Sequence, residues 1–163
     1  MVKSQRLSFI NNKTVAEIDE LLQNCFEGTE NWHHMTAHIP DKFKPSTKSN
    51  IGSFLRSPDT WLIKRNLEQD IIGFLSHGNF LPGMPNNIGF NIGLSYTGKG
   101  YATEALNALL EHLRGQAYSE TFGHCLESNI ASIKTMEKCG FVYMGTTGNP
   151  CNGVQELKFR VGL

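Results

Sequence analysis

The residue types and spacing most suited to chemistry stand together at Thr97-Gly98-Lys99-Gly100-Tyr101-Ala102. They follow an apolar run near Ile88–Leu94. They also open a segment in which Ala102, Ala105, Leu106, Leu109, Leu110 and Leu113 recur at helical spacing before Gly115. A strand, then glycines, then a helix presents several unpaired backbone amides to a phosphate, and the positive end of the helix dipole favours the same anion. Glycine also lets a ligand approach the main chain closely. A tight strand-to-helix turn with no ligand is the competing account of this segment taken alone.

Three anion-binding motifs compete for the turn. Gly93-x-x-x-x-Gly98-Lys99 nearly spells a P-loop, but Gly100 stands where a magnesium-binding Ser or Thr belongs. No later apolar strand ends in Asp. The dinucleotide fingerprint fails as well, because Gly98-x-Gly100 is followed by Thr103 rather than glycine. The third is the R/Q-x-x-G-x-G/A phosphate loop of the Gcn5-related N-acetyltransferases, which Thr97 to Ala102 resembles. About thirty residues on, Asn129-Ile130-Ala131-Ser132 and Glu137-Lys138-Cys139-Gly140-Phe141 resemble the N-x-x-S…E-K-x-G-F signature of that family's RimJ/RimL-like branch. One departure is visible: Thr97 stands where the family usually carries Gln or Arg.

The resemblance implies an acetyl-CoA-dependent transfer of an acetyl group to a primary amine, a protein N-terminus or a small amine, by direct attack. It implies an α+β fold of about six to seven mostly antiparallel strands flanked by about four helices. A parallel, splayed strand pair would form the cofactor cleft. Pantetheine would lie against backbone groups of Ile92 and Leu94. Thr97, Gly98, Lys99, Gly100, Tyr101, Ala102 and Thr103 would hold the pyrophosphate, and Asn129 would touch the pantetheine arm unless it is an ordinary helix cap. The attacking amine must be neutral, so a base is needed. Asn87 stands where relatives often carry Glu, which leaves His77, His124 and Glu127 as candidates. Met136 stands where many relatives carry a Tyr that protonates the leaving thiolate. Ser132 is the substitute, with a second helix cap as its alternative. His33 and His34 would read the acceptor or be exposed loop residues, and no metal site is expected from them. The rival function is a CoA-binding module that keeps the fold without catalysis, which the departures at Thr97, Asn87 and Met136 leave open.

These residues need elements to position them. Arg6–Ile10 reads as a first strand. Thr14 and Glu17 form a capping box for a helix carrying Val15, Ile18, Leu21, Leu22, Cys25 and Phe26 on one face, ending before Gly28. Residues 29–46 read as a loop, and Ile51, Phe54 and Leu55 as a weak helix ending at Pro58. Trp61–Lys64 and Ile71–Ser76 read as a hairpin. Thr121–Leu126 reads as a strand, and Ser128 or Asn129 caps a helix that reaches Cys139 and stops at Gly140. Phe141–Met144 and the alternating Leu157, Phe159 and Val161 supply the last strands.

The chain's 163 residues suit one domain spanning 1–163, and its 39% hydrophobic content can build a core. Fifteen basic residues balance fifteen acidic ones, so no global field favours a nucleic acid or an acidic membrane, and the cluster Lys42, Lys44 and Lys48 reads as a solvated loop. Cys25, Cys125, Cys139 and Cys151 form no C-x-x-C pair and read as buried thiols. No apolar run is long enough to span a bilayer, and MVKSQRLSFI lacks a secretory pattern. A cytoplasmic location is therefore expected. The resemblance adds that a homodimer is common among such proteins.

Overall fold

The computed structural model describes residues 4–26, 54–79, 83–149 and 153–163. Within them, β1 (Leu7–Ile10), α1 (Val15–Phe26), β2 (Thr60–Arg65), β3 (Ile71–Gly78) and β4 (Asn87–Ile92) come first. Then follow α2 (Tyr101–Arg114), β5 (Glu120–Cys125), α3 (Ile130–Lys138), β6 (Val142–Gly148) and β7 (Gln155–Gly162). The strands form one seven-stranded sheet in the order β1-β2-β3-β4-β5-β7-β6. Every neighbouring pair is antiparallel except β4 and β5. The expected mostly antiparallel α+β architecture is what the chain forms. Three α-helices of at least nine residues stand among the described residues. Of the weak helix near Ile51, only Phe54 and Leu55 are helical within the described residues.

The first helix starts where the capping box predicts. The Thr14 amide donates to Glu17 Oε2 at 2.8 Å, and the Glu17 amide donates to Thr14 Oγ1 at 3.2 Å. Its apolar face (Ile18, Leu21, Leu22, Cys25) packs on Leu55, Leu62, Ile71 and Phe74. The opposite face of the sheet is covered by α2 and α3, whose Leu106, Leu109 and Met136 join Ile63, Leu75 and Ile88. Burial on both faces explains why β3 is a continuous apolar run rather than an alternating one. Between Ile63↔Gly73 and Lys64↔Ile71, the extra residue Ile72 makes a β-bulge, which aims Ile71 at the α1 side and Ile72 at the α2 side. Side chains of α1 brace this bulge: Glu20 accepts from the Ile71 amide at 2.8 Å, and Asn24 Nδ2 donates to the Ile71 carbonyl at 2.8 Å.

Two expectations about strands change. The strand expected over Ile88–Leu94 ends at Ile92, and Leu94–Tyr96 form a 3-10 turn instead. In β7, Phe159 and Val161 are buried as the alternation requires, but Leu157 is only half-buried, while Glu156 is 1% exposed. No helix among the described residues is long and apolar enough to cross a membrane.

Candidate active site

The parallel pair β4–β5 is joined at a single register position, Asn87↔Phe122, where the Phe122 amide donates to the Asn86 carbonyl at 3.0 Å. Beyond it the two strands part. The opening is asymmetric in hydrogen bonding. The Gly93 amide donates to the Ile72 carbonyl at 2.9 Å, toward β3. In the regular antiparallel ladder of β3 and β4 the amides alternate, so those of Phe90 and Ile92 face the other way, toward β5 and the splay. On the floor of this gap, an added Cβ on Gly123 would lie 2.5 Å from Met136 Sδ and 3.5 Å from Ile88 Cγ1. Glycine is therefore what lets β5, β4 and α3 meet so closely. Met136, 1% exposed, fills that floor and donates no proton.

The glycine turn sits at the end of β4. Gly98 (φ +74) and Gly100 (φ +81) are both left-handed, and Gly100 is the N-cap of α2 without any side-chain cap. The amides of the first helical turn are consequently presented outward, as an anion site requires. Thr97 donates its hydroxyl proton to the Leu94 carbonyl at 2.8 Å, so this side chain secures the 3-10 turn. Lys99 Nζ turns back to the Ser95 carbonyl at 3.1 Å and lies 5.9 Å from the Tyr96 ring centroid. Leu94 is 44% exposed, whereas Ile92 belongs to the core. Of the expected cofactor contacts, Thr97 and Lys99 thus hold the turn itself, and Gly98 to Thr103 offer main chain.

A charged brace supports the loop from the turn between β2 and β3. Arg65 holds Asp70 through two hydrogen bonds of 2.7 Å, and Tyr96 donates its hydroxyl to Asp70 Oδ2 at 3.0 Å. The Arg65 hydrogen bonds hold the Asp70 carboxyl below its usual value against the opposing effect of burial.

At α3, Asn129 is the N-cap, its Oδ1 accepting from the Ser132 amide at 3.1 Å. The capping alternative therefore belongs to Asn129. Ser132 contributes its main chain to the cap, and its half-buried hydroxyl has no hydrogen-bond partner among the described residues. His124 and Glu127 lie at the end of β5 near this helix start. His124 pairs in register with Lys158, and Glu127 is exposed. His77 is not brought to them. It pairs with Ile88 at the joined end of β4, buried, with its ring 4.7 Å from the Tyr118 ring. There it lines a cavity of about 450 Å³ with Asp59, Asn86 and Tyr118. Burial pushes the His77 imidazole below its ordinary pKa, with Asp59 opposing and His112 adding to the shift. Asn87 is buried as well, donating its side-chain amide to the Met84 carbonyl.

Sequence reasoning missed Glu156. It is buried beside Asn149, whose Nδ2 donates to Glu156 Oε1 at 2.8 Å. The alternation of Leu157, Phe159 and Val161 put Glu156 on the other, polar face, so no local signal marked it. Cys25, Cys125 and Cys139 are buried thiols, raised by burial to about 12, about 12 and about 11. They are poor nucleophiles. His33, His34, Lys42, Lys44, Lys48 and Cys151 lie outside the described residues.

A family model described as an acetyltransferase (GNAT) domain matches residues 12–142. The chain belongs to the GNAT acetyltransferase family. A GNAT-family acetyltransferase from Bacillus anthracis superposes with a TM-score of 0.80 at 16% identity, over 99% of this chain and 97% of that one. Microcin C7 self-immunity acetyltransferase MccE, solved with acetyl-CoA and AMP, gives 0.70 at 17% identity over 98% and 93%. These likenesses carry the GNAT fold. The uncharacterized N-acetyltransferase YjdG of Bacillus subtilis is 32% identical over 90 residues, 52% of this chain and 51% of that protein. The chain thus matches about half the length of that curated relative.

Proposed function

We propose that this GNAT protein is an acetyl-CoA-dependent N-acetyltransferase acting on a primary amine. The observation that carries the reading is the splay of β4 from β5 beyond Asn87↔Phe122, with a doubly left-handed glycine turn and an uncapped helix start at its end. In this reading the amides of Gly98 to Thr103 take the pyrophosphate. Pantetheine enters the gap along the main chain of Phe90 and Ile92, with Asn129 Nδ2 beside it. A neutral amine attacks the thioester carbonyl, and one cleft-facing amide stabilises the oxyanion. The intermediate collapses as the C–S bond breaks, the thiolate receiving a proton and the amine nitrogen losing one. Ser132 is the proposed donor to sulfur. His124, Glu127 and Glu156, all on the β5–β7 side of the gap, are the candidate bases. His77, buried against Tyr118 at the joined end of β4, is the weakest candidate. MccE is crystallised with acetyl-CoA, and its shared fold supports the same donor here.

Saturating acetyl-CoA is expected to raise the melting temperature by mass action, by about 2.7 kcal/mol of stability at a hundred times Kd. ATP and NAD are expected to leave it unchanged. No shift with acetyl-CoA would remove the cofactor assignment. Binding without turnover over a broad amine panel would instead favour a non-catalytic CoA-binding module.

A further inference from the structure

Arg6 precedes β1, far in sequence from the glycine turn, yet its side chain is built into that turn. Its Nε bonds Glu104 Oε2 at 2.6 Å, and its backbone amide bonds Glu104 Oε1 at 2.9 Å. Its Nη1 donates to the Lys99 carbonyl at 3.1 Å, and its guanidinium carbon lies 4.6 Å from the Tyr101 ring centroid. The remaining nitrogen, Nη2, would be 3.5 Å from a Cβ on Gly100, the point where the main chain turns left-handed into α2. Among the described residues Nη2 has no hydrogen-bond partner. Burial alone would raise the Glu104 carboxyl, but hydrogen bonds from the Arg6 amide, Ser4 and the guanidinium, with the latter's charge, hold it lower.

Among the described residues, the cations at the turn have different tasks, and Arg65 is engaged by Asp70. Lys99 is folded back onto Ser95, and Thr97, uncharged, is bonded to Leu94. Arg6 alone is clamped on three sides with one donor left toward Gly100. A planar guanidinium suits this arrangement, because one edge can hold a carboxylate while another donor meets a phosphate oxygen. We infer that Arg6 is the positioning and charge-neutralising residue for the donor's pyrophosphate. It fixes the Lys99–Gly100 peptide so that the following amides face the anion, and it supplies through Nη2 the cationic contact that Thr97 does not. This rests on the acetyl-CoA reading above.

The test compares acetyl-CoA with acetyl-pantetheine, which lacks the pyrophosphate, by calorimetry and NMR titration. Arg6→Gln is expected to weaken acetyl-CoA tenfold or more, to flatten the salt dependence of its Kd, and to leave acetyl-pantetheine within twofold. Arg6→Lys, which keeps the charge but not the separate donor edges, is expected to restore the salt dependence and only part of the affinity. Equal weakening of both ligands with a lowered melting temperature would make Arg6 merely structural and overturn the inference. So would unchanged acetyl-CoA binding by a folded Arg6→Gln. If that variant does not fold, a folded Arg6→Lys that weakens acetyl-CoA and acetyl-pantetheine equally would overturn it. Wild-type protein that binds acetyl-pantetheine but gains nothing from the pyrophosphate would overturn it too. Wild-type protein that binds neither ligand removes the acetyl-CoA reading itself.

Discussion

Ser132 and Asn129 share the first turn of α3 but carry different duties. Asn129 Oδ1 takes the Ser132 amide, so replacing Asn129 with Ala removes a cap worth about 1 kcal/mol. The Ser132 hydroxyl has no such bond to lose. Ser132→Ala is therefore expected to leave the melting temperature within about 2 °C, a change of less than roughly 0.5 kcal/mol for a domain of this size. If the hydroxyl protonates the departing thiolate, kcat falls by about ten- to a thousandfold, on the scale of one general acid. KM for acetyl-CoA changes little, because the sulfur charge develops only in the transition state. Melting and steady-state kinetics on this one variant check the assignment, and a fully active Ser132→Ala protein would leave water as the donor.

At the scale of elements, the cleft depends on how closely β5 approaches α3. Gly123→Ala places a methyl where Met136 Sδ now sits, and Met136 is itself buried. We expect a loss of about 1–3 kcal/mol from overpacking. Met136→Ala alone should cost about 2–5 kcal/mol through its cavity. The double variant should be more stable than the sum of the two, by a coupling of about 0.5 kcal/mol or more, measured by urea unfolding of the four chains. Additive costs would mean that the two side chains do not share the floor. This contact also shows what the sequence could and could not convey. Helix α2, its glycine turn and the capping box of α1 were legible because each is encoded by neighbours within a few residues. The end of β4 at Ile92 was not, because the 3-10 turn is held by Thr97 and by Tyr96 reaching Asp70, a contact across twenty-six positions. Glu156 was missed for the same reason: alternation placed apolar residues on β7 correctly at Phe159 and Val161, but Asn149 is what makes a carboxylate tolerable beside them.

At the scale of the whole molecule, the depressed histidines and carboxylates among the described residues fall into two pH windows. His77 is buried between strand and Tyr118, and burial holds both His77 and His112 below the ordinary 6.5. Each imidazole is harder to protonate in the folded chain than in the unfolded one, so the unfolded chain binds more protons as pH drops below 6.5. Stability from these groups is fully present above that pH and is lost as pH falls toward the lower folded values. Asp70 and Glu104 are likewise depressed, from 3.8 and 4.5, by the Arg65 and Arg6 contacts. Their contribution is present above those values and is lost only as pH falls through the still lower folded ones. The melting temperature is therefore expected to decline in two steps, one beginning near pH 6.5 and one below about pH 4.5. His77→Phe keeps an aromatic ring against Tyr118 and removes a protonation site. It should shrink the difference in melting temperature between pH 7.5 and 5.5 and leave the acid step in place. Arg65→Gln should do the reverse, because it frees Asp70 while leaving His77 buried. A wild-type curve flat from pH 7.5 to 5.5, measured by calorimetry at constant ionic strength, would mean that His77 takes up its proton without cost and is reached by solvent in the folded chain.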